Sequence, residues 1–131
     1  MIGIVLVSHS KQVADGIKEL AMEMAGPALK VIPAGGMEDG SIGTDAIRIK
    51  EAIEKADDGT GVVVLVDLGS AVMSANLAIE LLEEENNKII VKIADAPILE
   101  GAIGACVQAF IGGTMQEVID AAEIAREVKK L

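Results

Sequence analysis

Four short apolar runs punctuate the chain, at residues 2–7, 29–32, 62–66 and 89–93. Each is near-continuous rather than alternating, the pattern of strands buried on both faces in a parallel sheet. Segments of helical period lie between them. In residues 11–25, Val13, Ile17, Leu20, Ala21 and Met24 share one face, Lys11, Asp15, Lys18, Glu19 and Glu23 take the other, and Gly26-Pro27 is the stop. Residues 44–56 repeat the plan, with Ile49, Ile53 and Ala56 inward and Asp57-Asp58-Gly59 at the end.

Residues 71–82 differ. Val72, Met73, Ala75, Leu77, Ala78, Ile79, Leu81 and Leu82 cover most of the circumference, as in a helix buried on more than one side. In a chain this short the second side predicts a subunit partner. Residues 98–111 are also strongly apolar. After Gly112-Gly113, Thr114 and Glu117 form a capping box for a last helix through Val128.

The order βαβαβαβαα predicts one α/β domain over residues 1–131, an open, mainly parallel sheet with helices on both faces. Right-handed crossovers put every βα turn at the carboxyl ends of the strands. Residues 33–43, PAGGMEDGSIG, read as a loop, either mobile or tightly folded on the surface.

Composition narrows the picture. The chain is 51% hydrophobic, with Phe110 its sole aromatic residue, so Ile, Val, Leu, Met and Ala build the core. No apolar run reaches the roughly 18 residues of a membrane span, and the first ten residues lack the basic flank of a signal peptide. Cys106 is the one cysteine, which fits a cytoplasmic location, and its apolar neighbours place it in the core. The net charge is −10, and the eleven Lys and Arg are scattered over helix faces. That argues against nucleic acid as a partner. An acidic surface serves solubility, or steers association with a basic protein.

Candidate chemistry gathers at three βα turns: Ser8-His9-Ser10, Asp67-Leu68-Gly69-Ser70 and Ala94-Asp95-Ala96-Pro97. Open α/β sheets bind ligands outside the carboxyl strand ends, where strand order reverses. In the order 2-1-3-4, strands one and three flank that point, and His9 faces Asp67 across it. Asp67 would then hold one ring nitrogen and leave the other as an outward, nucleophilic lone pair. Gly69 and Ser70 open a helix whose N-terminus suits a phosphate. Simpler roles stand beside these: Asp67 as a cap of the third helix, Ser70 as its N-cap, and Asp95 as the cap of the helix after Pro97. There is no G-x-G-x-x-G, P-loop or G-x-S-x-G, and one His with one Cys does not make a structural zinc site.

The stretches GIVLVSHS (3–10), GTDAIRIKEAI (43–53), VLVDLGSA (64–71) and DAPILEGA (95–102) resemble the enzyme IIA domains of the mannose-family phosphotransferase system. DLGSA after the third strand is similar to the branch that serves phosphoenolpyruvate-dependent dihydroxyacetone kinases. The likeness runs from residue 1 into the last helix. It implies the 2-1-3-4 sheet and a phosphohistidine carrier with no metal or cofactor of its own. His9 matches the phosphorylated histidine, Asp67 its orienting acid, and Ser10, Gly69 and Ser70 the phosphate-binding turns. The implied donor is the phosphocarrier protein HPr. The implied acceptor is ADP held by the kinase subunit DhaL, with dihydroxyacetone held by DhaK. The resemblance also implies a homodimer through the third helix. Two other functions stay open: the IIA component of a mannose-type sugar transporter, and a regulatory binding module in which His9 is structural.

Overall fold

In the computed structural model, which describes all 131 residues, four parallel strands form one sheet in the order β2-β1-β3-β4. The strands are β1 (Gly3–Ser8), β2 (Val31–Gly35), β3 (Val62–Val66) and β4 (Val91–Ile93). The helices are α1 (Lys11–Met24), α2 (Ala46–Ala56), α3 (Gly69–Glu84), α4 (Ile98–Phe110) and α5 (Met115–Glu123), and a final 3-10 turn spans Ile124–Glu127. The expected architecture and strand order are those observed.

Every residue of β1 is buried, because helices cover both faces of the sheet. On one face Ile4, Leu6, Val63 and Leu65 pack with Ile17 and Ala21 of α1, with Ala102, Ala105 and Cys106 of α4, and with Val118 of α5. On the other, Val5, Val7, Val62 and Val64 meet Ile49 and Ile53 of α2 and Ala71, Ala75 and Ala78 of α3. This double burial is why the strands carry near-continuous apolar runs. Burial pushes the Cys106 thiol up to about 12, so it stays a neutral packing group.

Several local expectations need correction. The second strand lies later than residues 29–32, running through Pro33 to Gly35. Pro33 is tolerated because β2 is an edge strand, where a missing N–H costs no ladder bond. The loop proper therefore begins at Gly36. Helix α1 turns a different face inward: Ala14, Ile17 and Ala21 are buried, while Val13, Leu20 and Met24 are exposed. The cause is a close approach. A Cβ on Gly35 would lie 2.8 Å from the Ala14 Cβ and 2.6 Å from the Ser10 carbonyl oxygen, so only small groups fit where α1 crosses the end of β2. The capping box at Thr114 and Glu117 is present, but α5 gives way to the 3-10 turn at Ile124. Asp95 does not cap α4, whose N-cap is Pro97; it pairs with Arg126 at 3.2 Å.

Helix α3 buries one stripe, Ala71, Ala75, Ala78 and Leu82. Its opposite side leaves Met73 75% exposed, with Leu77 and the preceding Leu68 also open. Thr44 Oγ1, just before α2, lies 2.6 Å from Ser74 Oγ of α3, and Lys50 in the middle of α2 pairs with Glu85 after α3, tying the two helices at two points.

Candidate functional site

Adjacent parallel pairing sets the ends of β1 and β3 side by side, with Val7 in register with Val66. Asp67 directly follows Val66 and His9 comes two residues after Val7, so the topology brings imidazole and carboxylate together. His9 Nδ1 lies 3.0 Å from Asp67 Oδ1. The same carboxylate oxygen accepts the Leu68 N–H at 2.8 Å. Its other oxygen accepts the Ser8 hydroxyl at 3.0 Å and the His9 backbone N–H at 3.0 Å. Four donors thus converge on one carboxylate.

Burial pushes the Asp67 pKa up, but the His9 N–H, the His9 ring, the Ser8 hydroxyl and the Leu68 N–H outweigh it and hold the group below the ordinary 3.8. Asp67 is therefore ionised at neutral pH and accepts only. A neutral His9 must then carry its proton on Nδ1, which leaves Nε2 as the lone-pair nitrogen. Nε2 points toward the first turn of α3 and lies 2.8 Å from Ser70 Oγ. The side chains of His9 and Asp67 are 22% and 17% exposed, so the ring is reachable at its Nε2 edge while its partner is largely shielded.

The start of α3 departs from the expected capping. Asp67 and Ser70 both fail to cap it; its N-cap is Leu68, with no side-chain hydrogen bond. The opening N–H groups of a helix have no intrahelical acceptors. Here the turn of Gly69 and Ser70, beside Nε2, keeps them available to an anion. Ser10 has its hydroxyl engaged as the N-cap of α1, accepting the Val13 N–H at 3.2 Å.

The residues after β2 fold tightly against the site. Gly36 N–H donates to the Ser8 carbonyl at 3.0 Å, and Gly43 N–H to the His9 carbonyl at 2.9 Å. Gly36 and Gly43 have φ of +69° and +146°, which admits the reversal. Beside Asp67 a crevice of about 520 Å³ opens between the β3–α3 and β4–α4 turns, lined by Leu68, Gly69, Val72, Ile93 and Ala96 among others. A larger hollow of about 820 Å³ lies at α5 among Glu117, Asp120, Glu123 and Arg126, and holds no nucleophile. No three His, Cys, Asp or Glu side chains converge as metal ligands would. No helix is long and apolar enough to cross a membrane.

Sequence reasoning anticipated the His9–Asp67 pair and the nearness of Gly69 and Ser70. It names Ser8 in the first turn without giving it a role, although its place as the last strand residue before His9 was the signal.

Comparison with known proteins agrees with this geometry. The EIIA-man family profile, described as PTS system fructose IIA component, matches residues 3–119. A Listeria innocua protein named PEP-dependent dihydroxyacetone kinase 2, phosphoryl donor subunit DhaM, is 38% identical over 91% of this chain and 94% of its own length. The DhaM phosphoryl donor subunit of Providencia stuartii is 38% identical over 99% of this chain, which spans only 28% of that longer protein. The crystal structure of EF1359, a protein of unknown function, superposes with a TM-score of 0.81 at 35% identity over 94% of both chains. The chain belongs to the EIIA-man family of phosphotransferase-system IIA components.

Proposed function

We propose that this protein is a phosphohistidine carrier in the phosphoenolpyruvate-dependent phosphorylation of dihydroxyacetone. The observation that carries the reading is the His9 ring itself. Nδ1 is held by an ionised Asp67, and Nε2 faces an uncapped helix start. In the forward step the Nε2 lone pair attacks phosphorus and a P–N bond forms. The bond between phosphorus and the histidine of phospho-HPr breaks, and its electron pair returns to that donor. The Gly69–Ser70 turn, with the Ser70 hydroxyl, receives the phosphoryl oxygens, and Asp67 stabilises the ring as it becomes cationic. In the second step an oxygen of ADP, held in DhaL, takes the phosphoryl group, and Nε2 recovers its lone pair. The resulting ATP phosphorylates dihydroxyacetone on DhaK. The names borne by the relatives support this choice of acceptor.

The carrier acts in the cytoplasm as a homodimer. The exposed apolar side of α3, Met73 and Leu77, supports the α3 interface. Sedimentation of Met73→Glu is expected to show monomer where the parent protein shows dimer.

The test of the main reading is incubation with phosphoenolpyruvate, enzyme I and HPr. One acid-labile, alkali-stable phosphate is expected on His9 and none on His9→Ala. Discharge on adding DhaL with ADP completes it. The family description names a fructose IIA component, which favours a second reading as a sugar-transport IIA. Discharge to a membrane sugar permease component, and none to DhaL, would select it.

A further inference from the structure

We propose that Ser8 is a positioning residue for phosphoryl transfer, fixing the Asp67 carboxylate so that the His9 ring keeps its proton on Nδ1; this rests on the reading of His9 as the carrier. Ser8 is the one buried polar side chain of the protein, with no exposed surface. A buried hydroxyl costs free energy unless it is bonded as donor and acceptor. Both roles are filled here. The O–H donates to Asp67 Oδ2 at 3.0 Å, and the oxygen accepts the Ser10 N–H at 3.1 Å. Ser8 also pairs with Gly35 in the sheet, and its carbonyl takes the Gly36 N–H. The hydroxyl is therefore anchored to β1, the start of α1 and the loop after β2 at once.

The carboxylate needs that anchor. The terminal torsion of an aspartate is soft, so its orientation is set by its donors. Each oxygen of Asp67 takes two. Without the Ser8 hydroxyl, Oδ2 keeps only the His9 backbone N–H, and the carboxylate plane swings. Oδ1 then leaves the line of the Nδ1 proton, and the ring loses its bias toward the Nδ1–H tautomer. In the other tautomer Nε2 carries a proton and has no lone pair for phosphorus.

The test is nitrogen-15 NMR of the His9 ring at alkaline pH, paired with the initial rate of phosphate uptake from phospho-HPr. The parent protein is expected to show the Nδ1–H tautomer with a slowly exchanging proton. In Ser8→Ala a tautomer mixture is expected, with Nδ1 proton exchange and the uptake rate constant each changed by about tenfold, faster and slower respectively. The KM for phospho-HPr is expected to stay unchanged, since Ser8 touches no solvent. Ser8→Thr, which keeps the hydroxyl, is expected to restore tautomer and rate. Should Ser8→Ala not fold, Ser8→Cys supplies a weak donor of similar size and is expected to shift both readouts the same way. A folded Ala or Cys variant with the parental tautomer ratio and rate overturns the proposal. Failure of the parent protein to take phosphate overturns the carrier reading instead, and the tautomer ratio still decides the role of Ser8.

Discussion

Asp67→Asn keeps the size and shape of the side chain and removes only its charge and one acceptor, which makes its effect calculable from the geometry. The carboxylate accepts from two backbone N–H groups, Leu68 on Oδ1 and His9 on Oδ2. Neither donor can rotate. An asparagine has one oxygen and one NH2, so one of those N–H groups must face another donor. With the NH2 at the Oδ2 place, the His9 N–H is left unpaired. With the NH2 at the Oδ1 place, the Leu68 N–H is left unpaired and the ring must accept through Nδ1, which moves its proton to Nε2. The second strands the more exposed Leu68 N–H, which water can reach, whereas the first strands the part-buried His9 N–H at a cost of about 2 kcal/mol. With an unfolding entropy of roughly 2.1 cal/mol/K per residue over 131 residues, the first arrangement would lower the melting temperature by about 7 °C. The second arrangement also silences the nucleophile. An equivalent exchange behind a catalytic imidazole costs roughly 10⁴ in rate through the wrong tautomer. We expect phosphate uptake from phospho-HPr to fall by about 10³ or more, with the far-ultraviolet spectrum unchanged at 25 °C. A variant that takes up phosphate within tenfold of the parental rate would refute the assignment of Asp67.

Three other outcomes follow from the same contacts. Ser70→Ala removes the hydroxyl 2.8 Å from Nε2 and is expected to slow uptake by about tenfold, while stability changes by less than about 0.5 kcal/mol; thermal melts beside uptake rates separate the two. Gly35→Ala places a Cβ 2.6 Å from the Ser10 carbonyl oxygen and 2.7 Å from the Lys11 Cα, backbone atoms that cannot step aside. It is expected to cost about 2 kcal/mol in urea unfolding, and a value near zero would contradict the close approach of β2 and α1. Because the Asp67 pKa is lowered on folding, its contribution to stability is complete above the unfolded value near 3.8 and is lost as pH falls through the lower folded value. Acid titration of Asp67→Asn against the parent protein is expected to show the two stabilities converging below pH 4, and parallel curves would exclude that linkage.

The strand order, the layering of helices and the meeting of His9 with Asp67 were legible in the sequence because they rest on long-range rules. Near-continuous apolar runs announce a parallel sheet, and a parallel sheet gathers its turns on one edge. The features that no pattern announces are set by contacts at single-residue scale. On α1, side-chain size does not track burial. Val13, Leu20 and Met24 look like core residues, yet the Gly35 crossing admits only Ala14 beside it. Pro33 hid the length of β2, since a proline excludes a central strand but not an edge strand. Asp95 carries the chemistry of a cap, and Arg126, 31 residues away, recruits it instead. Ser8 gave no periodic signal at all. Its importance lies in one oxygen that must satisfy both Asp67 and Ser10.

The start of α3 shows how a local rule is broken where chemistry needs the exception. Two residues well suited to cap a helix, Asp67 and Ser70, flank the N-cap, yet Leu68 occupies it and no side chain closes the turn. A capped turn would be more stable by about 1 kcal/mol. It would also consume N–H groups of the turn whose Ser70 hydroxyl meets Nε2. Instead Asp67 turns back to His9, and Ser70 reaches forward to the same ring. The helix thus forgoes its own cap, and a phosphoryl group on Nε2 is the ligand that would supply the missing acceptors. On this argument phosphorylation should stabilise α3 itself. Slower amide hydrogen exchange at Gly69 and Ser70 in the phosphorylated protein is the expected consequence, and exchange unchanged from the free protein would show that the helix start plays no part in holding the phosphate.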